Sequence, residues 1–263
     1  MANVDIVTER HDRVGLIRIN RPHVHNAMDA TSLAALDDAV REAVEDPSVR
    51  AVVITGTGEK AFSAGADLDQ LRGLDAVAAQ DVLGHGQRVF ATIEHSPIPV
   101  IAAVNGLALG GGFELVLATT FPVVATTASF ALPESGLGLI PGYGGTQRLA
   151  RIVGPAVAAH IMLTGARISA DRAYEINLTP VPPVLPSELV QTALELAASI
   201  AARGPRATTA ILRALRAGAV SRRDLAYETA LAALATGSSE AAEGIAAFKD
   251  RRTAQFADAP GSW

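Results

Sequence analysis

Three short apolar runs in the first 104 residues have the pattern of β-strands. They are VGLIRI (14–19), AVVIT (51–55) and PVIAAV (99–104), and most of their residues are aliphatic and β-branched. The second and third runs contain almost no polar position, which is typical of strands covered on both faces. We therefore predict a buried sheet in this half of the chain.

The residues between the first two runs have helical spacing instead. Apolar side chains recur there every three or four positions, Asp29 is placed to cap the helix, and Pro47 stops it. A second helix is predicted over 69–93, where Gly84 and Gly86 weaken the prediction. Strands that alternate with helices indicate an α/β architecture. The apolar stripe of the first helix consists of Leu33, Leu36, Val40 and Val44.

The pattern changes after residue 179. The proline-rich TPVPPVLP (179–186) predicts a stiff, extended crossover. Alanine-rich helices follow from 187, with further helices near 205–217, 222–236 and 239–252. The chain thus reads as an α/β body followed by a helical section.

Composition narrows the classes of partner. Of the 263 residues, 49% are apolar and 19% are charged, as in an ordered globular protein. The net charge of −5 has the wrong sign for a nucleic acid or an anionic membrane surface. Without cysteine there is no disulfide and no thiolate nucleophile. The charged start MANVDIVTERHDRVG does not resemble a signal peptide, and we expect a cytoplasmic protein.

Two glycine-containing segments are expected to bring the chain close to a ligand, and the first is FSAGADL (62–68), whose small residues follow the 51–55 strand. LALGGGFELVLA (107–118) predicts a glycine turn that opens a helix with Glu114 in its first turn, where free amides and the helix dipole favour an anion. Glu134 follows twenty residues later among glycines and apolar residues. The intervening text predicts a helix and one short return strand, PVVATTASFAL, which is compatible with one shared pocket.

Other sites are less well supported by the residues. A glycine run is most often a turn or a close contact, and no Lys-Ser/Thr follows as in a nucleotide P-loop. The six histidines lack metal spacing, and Ser63 and Ser135 lack a nucleophile-elbow motif. FKDRR (248–252) is typical of a solvated helix face, with phosphate binding as the alternative.

Several motifs in order resemble the enoyl-CoA hydratase (crotonase) family. The resemblance implies an α/β, crotonase (ClpP-like) spiral of β-β-α turns with a helical C-terminal section. It further implies a core over 1–200 that carries the acyl-CoA site, and a trimerisation section over 201–263, in a homotrimer or hexamer. The motifs are NRPHVHNAM (20–28), KAFSAGADL (60–68), NGLALGGGFEL (105–115), PESGLGLIPGYGGTQRL (133–149), LTGARISADRA (163–173) and AFKDRR (247–252).

The resemblance also assigns roles to individual residues. The backbone amides of Ala66 and Gly111 match an oxyanion hole for the thioester oxygen. Glu114 and Glu134 match the two acids of hydrating members: Glu114 orients water and takes its proton, and Glu134 protonates the α-carbon. The expected reaction is reversible syn hydration of trans-2-enoyl-CoA to 3-hydroxyacyl-CoA, in fatty-acid or related acyl-CoA degradation.

Coenzyme A is expected along the AGADL turn. By resemblance it contacts backbone groups of Ala64, Ala66, Asp67 and Leu68, with the loop 21–26 on its other side. Lys249, with Arg251 or Arg252, is matched to its phosphates. We expect no metal and no cofactor beyond the coenzyme A of the substrate.

The chain departs from the family pattern at a few positions. Thr120 and Pro122 replace a common Asp and Arg, which argues against a local salt bridge there, and Tyr143 replaces a small residue and is expected to narrow the acyl pocket. Two alternatives remain open: an enoyl-CoA isomerase, which needs one acid, and a non-catalytic acyl-CoA-binding protein.

Overall fold

The structure is a computed structural model that describes residues 4–216 and 222–254. This part of the chain contains nine strands and ten α-helices. The strands are β1 (Ile6–His11), β2 (Val14–Ile19), β3 (Ala51–Gly56), β4 (Ala61–Ser63), β5 (Val100–Val104), β6 (Leu107–Leu109), β7 (Phe121–Val124), β8 (Ser129–Ala131) and β9 (Ile168–Ser169). The helices are α1 (Ala30–Glu45), α2 (Ala76–Glu94), α3 (Gly111–Ala118), α4 (Gly145–Val153), α5 (Pro155–Thr164), α6 (Ala170–Glu175), α7 (Leu189–Ala201), α8 (Pro205–Arg216), α9 (Arg222–Thr236) and α10 (Ser239–Lys249).

The strands form two sheets that the chain visits in turn. The larger sheet has the order β1-β2-β3-β5-β7 and the smaller has the order β4-β6-β8-β9. From β3 onward each turn of the chain contributes one strand to the larger sheet, then one to the smaller sheet, and then a helix. This repetition confirms the predicted spiral of β-β-α turns.

The larger sheet is covered on both faces, as the apolar runs predicted. Because side chains alternate along a strand, Ile17 and Ile54 face the main core while Leu16 and Val53 face a second core. The second core is closed by α7, whose buried face carries small residues that allow close packing. That face consists of Leu189, Ala193 and Ala197.

The first predicted helix begins where its cap was predicted. The Asp29 carboxylate accepts from the Ser32 amide at 2.8 Å, and the Ser32 hydroxyl accepts from the Asp29 amide at 2.8 Å. This reciprocal pair satisfies two amides at the helix start. The helix α2 is continuous across Gly84 and Gly86, but it begins at Ala76, after a short 3-10 helix over Leu68–Gln70.

One prediction about the strands was wrong. The segment expected as a single return strand is two strands, β7 in the larger sheet and β8 in the smaller, because the chain turns between them. Pro122 lies in β7 at the edge of its sheet, where a missing amide is tolerated. Thr120 stands where the family commonly has an ion-pairing aspartate, and it makes a hydrogen bond to β5 instead. Its hydroxyl accepts from the Val100 amide at 3.0 Å.

The C-terminal helices follow the predicted order. The helix α9 packs on α2, and α10 packs on a 3-10 helix over Glu134–Leu137. The boundary at residue 200 between the core and the C-terminal trimerisation section stays a prediction. None of the helices in 4–216 and 222–254 is both long and apolar enough to cross a membrane.

Candidate active site

Three neighbouring strands of the smaller sheet deliver the predicted site residues. The parallel strands β4, β6 and β8 end at Ser63, Leu109 and Ala131, and each is followed within three residues by part of the site. Since the carboxyl ends of parallel strands meet at one edge, Ala66, Gly111 and Glu134 are brought together. The site therefore follows from sheet order, although these residues are far apart in sequence.

The three glycines at the start of α3 have separate structural reasons. Gly110 has a φ of +50° and a ψ of −126°, a backbone conformation that residues with a Cβ rarely adopt. A Cβ at Gly111 would lie 3.2 Å from the Ala66 nitrogen and 3.1 Å from the Tyr143 ring, and a Cβ at Gly112 would overlap the Ser63 carbonyl. The glycines let the start of this helix approach the 63–66 segment closely.

The amides around Ala66 are unequally engaged. Ala64 donates to the His25 carbonyl at 2.9 Å, Gly65 to the Ser63 hydroxyl at 3.2 Å, and Asp67 to the Met28 carbonyl at 2.9 Å. Among the described residues, no acceptor is found for the Ala66 amide between them. One amide in this segment is thus left for a ligand.

The Gly111 amide likewise has no acceptor among the described residues. It belongs to the first residue of α3, so it has no acceptor within the helix, while the Gly110 amide before it donates to the Ala131 carbonyl at 3.0 Å. Within the described chain, the amides of Ala66 and Gly111 are adjacent donors with no protein acceptor.

Glu114 is a buried carboxylate with fixed geometry. Its side chain is on the first turn of α3, and its Oε1 accepts from the amides of Tyr143 and Gly145, each at 2.8 Å. Gly145 begins α4, so the positive ends of two helices converge on this carboxylate. These groups stabilise its negative charge and hold it in one orientation.

Glu134 lies beside the glycine turn that opens α3. It begins a 3-10 helix after Pro133, is half-buried, and lies with Oε1 3.0 Å from where a Cβ on Gly110 would be. The next residue, Ser135, anchors this helix through a 2.8 Å hydrogen bond to the Met162 carbonyl.

Both carboxylates line one cavity of about 190 Å³. Ala64, Ala66 and Gly111 line it as well, and Thr236 and Phe248 from the C-terminal helices complete it. The remaining wall is apolar. It is formed by Leu68, Leu71, Leu83, Leu109, Leu137, Leu139 and Ile140.

The residues matched to coenzyme A fall into two groups. Ala64, Ala66 and Leu68 line the cavity, whereas the Asp67 carboxylate accepts from the Asp69 amide at 3.0 Å and caps a 3-10 helix. Lys249 follows the cavity-lining Phe248 and forms an ion pair with Asp69.

Tyr143 also lines the cavity, and its narrowing of the acyl pocket stays a prediction. Its ring is buried and packs edge-on against Phe90, with centroids 5.2 Å apart. Burial, together with the charge of Glu114, raises the pKa of the Tyr143 hydroxyl well above its ordinary value. The hydroxyl therefore stays protonated at neutral pH.

Sequence reasoning missed the turn that holds Glu114. The glycines at 142, 144 and 145 give the same signal of close backbone approach as those at 110–112, but nothing in the sequence says which group they approach. No three histidine, aspartate or glutamate side chains in 4–216 and 222–254 are grouped to hold a metal ion.

Comparison with known proteins gives consistent matches. The family model described as enoyl-CoA hydratase/isomerase matches residues 9–259. A crotonyl-CoA hydratase from Syntrophomonas wolfei is 39% identical over 97% of this chain and 99% of its own length. A short-chain-enoyl-CoA hydratase from Clostridium acetobutylicum is 36% identical over 94% of this chain and 95% of its own.

Solved structures agree with these sequence matches. An enoyl-CoA hydratase from Mycobacterium avium subsp. paratuberculosis superposes with a TM-score of 0.87 at 26% identity, covering 97% of this chain and 99% of its own. A carnitinyl-CoA hydratase from Mycobacterium avium has a TM-score of 0.85 at 35% identity, covering 96% and 98%.

Proposed function

The chain belongs to the enoyl-CoA hydratase/isomerase family, and from this premise we propose that it catalyses the reversible syn addition of water to a trans-2-enoyl-CoA, giving a 3-hydroxyacyl-CoA. The similar proteins named crotonyl-CoA hydratase and short-chain-enoyl-CoA hydratase support this activity. The single observation that carries the proposal is that Glu114 and Glu134 line the same cavity as two amides that have no protein acceptor in the described chain.

The two amides are the proposed oxyanion hole. The thioester oxygen becomes negative as the transition state gains enolate character, and donors fixed beforehand stabilise that charge. Each such donor is commonly worth about 3–4 kcal/mol of barrier. Ala66 and Gly111 supply these donors. Because Gly111 has no Cβ, no side chain at this position stands between its amide and the substrate.

The two carboxylates divide the proton transfers. Glu114, held through Oε1, takes one proton from the attacking water as the water oxygen bonds to the β-carbon. The double-bond electrons form the new α-carbon–hydrogen bond with a proton from Glu134. Water is added in total, and one proton must pass from Glu114 back to Glu134 before the next turnover.

The proposal is tested with crotonyl-CoA and two single variants. Glu114→Gln and Glu134→Gln are each expected to lower kcat by at least about 100-fold, because each removes one step of acid–base catalysis. Glu59→Gln, an exposed loop substitution, is the matched control and should remain within about twofold of the parent.

The products distinguish the alternatives. Formation of 3-hydroxybutyryl-CoA supports hydration, whereas conversion of 3-enoyl-CoA to 2-enoyl-CoA without hydration would identify an isomerase. Binding of crotonyl-CoA without turnover would identify a non-catalytic binder. A Glu114→Gln or Glu134→Gln variant with near-parental kcat would contradict the assigned roles.

The remaining parts of the proposal concern assembly and setting. We propose a homotrimer, or a hexamer of two trimers, in the cytoplasm, acting in acyl-CoA degradation with no cofactor beyond the substrate's coenzyme A. Ile211 and Leu215, 59% and 73% exposed on α8, support an apolar contact between copies. Sedimentation equilibrium tests the assembly, and a monomer would contradict it.

A further inference from the structure

The turn over 142–145 separates the Glu114 carboxylate from the helix α2. The peptide unit between Gly142 and Tyr143 is hydrogen-bonded at both ends. Its amide hydrogen is donated to Glu114 Oε1 at 2.8 Å, and its carbonyl accepts from Gln87 Nε2 at 3.1 Å. One peptide therefore connects a buried side chain of α2 with the carboxylate assigned to the water.

The face of α2 that carries Gln87 is fitted to this turn. Four residues at positions 83, 86, 87 and 90 have the i, i+3, i+4, i+7 spacing of one helix stripe. A Cβ on Gly86 would overlap the Tyr143 ring, coming 2.6 Å from Cζ, and a Cβ on Gly142 would lie 2.6 Å from Leu83 Cδ2. The contact with this turn thus explains why α2 has a glycine at position 86.

The next peptide of the turn is also fixed, from the side of α4. Arg148 Nη1 donates to the Tyr143 carbonyl at 2.5 Å, and its Nε and Nη2 donate to Glu94 Oε2 at 3.1 and 2.7 Å. Since Glu94 is the last residue of α2, the ion pair ties α4 to α2 around the turn. Removal of Arg148 would break the ion pair of a mostly buried Glu94, so the resulting loss of stability would obscure any effect on catalysis.

We propose that Gln87 is a positioning residue for the hydration reaction. It holds the Gly142–Tyr143 peptide so that its amide points at Glu114 Oε1, and it polarises that peptide in the direction that strengthens the donated bond. With Oε1 fixed, the Glu114 carboxylate meets the attacking water in one orientation, and small misplacements of a reacting group cost large factors in rate. Gln87 acts through Glu114, and this role rests on the proposed function.

The first test replaces Gln87 with Met, which keeps an unbranched side chain of similar length and removes the donor. We expect kcat for crotonyl-CoA to fall about tenfold with KM within about twofold, because the substrate still binds while Glu114 loses its orientation. Gln87→Glu, in which a carboxylate faces the Gly142 carbonyl, should lower kcat further.

Thr55→Val is the matched control. The buried Thr55 hydroxyl donates to the Ala103 carbonyl at 2.7 Å within the larger sheet, away from the cavity. Its loss removes a buried hydrogen bond from a side chain to a backbone carbonyl, and it should lower Tm with kcat unchanged.

A double variant distinguishes positioning from a merely structural role. In a Glu114→Gln background, Gln87→Met should cause no further loss of kcat, because the group it positions is already disabled. A further tenfold loss there would overturn the proposal. It would equally be overturned by a rise in KM with unchanged kcat, or by a fall in kcat matched by Thr55→Val at equal loss of Tm.

Failure of the proposed function is recognised separately. Absence of hydration by the parent protein would contradict the function itself. The positioning role is then decided by a crystal structure of Gln87→Met. A separation of Tyr143 nitrogen and Glu114 Oε1 beyond 3.5 Å supports it, whereas an unchanged 2.8 Å bond overturns it.

Discussion

Gly65 provides the sharpest test of the proposed oxyanion hole. Its φ is +97°, and a Cβ there would lie 2.6 Å from the Leu109 carbonyl oxygen and 3.0 Å from the Gly111 nitrogen. A contact of ordinary length begins near 3.4 Å, so Gly65→Ala requires a displacement of about 0.8 Å, the difference between 3.4 and 2.6 Å. The methyl group therefore pushes the two proposed donors apart.

The expected losses separate into two parts. Alanine at a positive φ costs about 1–3 kcal/mol of stability. Displacing an oxyanion donor costs about 100-fold or more in kcat. Gly73→Ala isolates the first part, because Gly73 has a φ of +73° and no atom within 4 Å of the position of its Cβ. We expect both variants to lose stability and only Gly65→Ala to lose about 100-fold in kcat.

The assay follows crotonyl-CoA consumption by the two variants and the parent, with urea unfolding of each. Retained binding of crotonyl-CoA by Gly65→Ala would place the loss in the chemical step. Gly65→Ala with a kcat equal to that of Gly73→Ala would refute the reasoning, because the added methyl would then have left both donors in place.

Three further predictions concern other parts of the molecule. Removing the Asp29 cap of α1 with Asp29→Ala should cost about 1 kcal/mol in urea unfolding at neutral pH. Burial opposes ionisation of Asp29, but the Ser32 hydrogen bonds, the charge of Arg21 and the Thr31 amide together outweigh it and lower the pKa of Asp29 below its ordinary value of 3.8; this contribution should therefore be present above that pH and be lost as the pH falls through the folded value. Tyr143→Ala should raise kcat/KM for longer enoyl-CoA chains relative to crotonyl-CoA in a substrate panel, and an unchanged ratio would show that the ring does not limit the pocket. Lys249→Met should raise KM for crotonyl-CoA at low salt more than Asp69→Asn does, and equal KM values would remove Lys249 from coenzyme A binding.

The parts of the fold that were predictable have strong local signals. The strands β2, β3 and β5 are long apolar runs, and α1 combines an apolar stripe with a capping residue. The strands β4, β6 and β8 have three residues each, too few for a period of two to be visible. Yet these three strands bring the site together, so its assembly was predictable only through the family resemblance.

The site shows a similar division. Glu114 was identified because an acid in an apolar, glycine-containing segment is costly unless it is used. Its partners, the amides of Tyr143 and Gly145, lie about thirty residues away, and a backbone donor carries no signature in a side-chain sequence. Gly86 was taken as a weakness of α2, whereas its contact with the Tyr143 ring requires it.

A crystal structure of Glu134→Gln with bound crotonyl-CoA tests the central claim most directly, because that variant is expected to hold the substrate without turning it over. The account predicts the thioester oxygen within about 2.7–3.1 Å of both the Ala66 and Gly111 nitrogens. It also predicts one water molecule between the side chains at 114 and 134, next to the β-carbon. A thioester oxygen directed away from these amides, or the two side chains contacting separate waters, would contradict it.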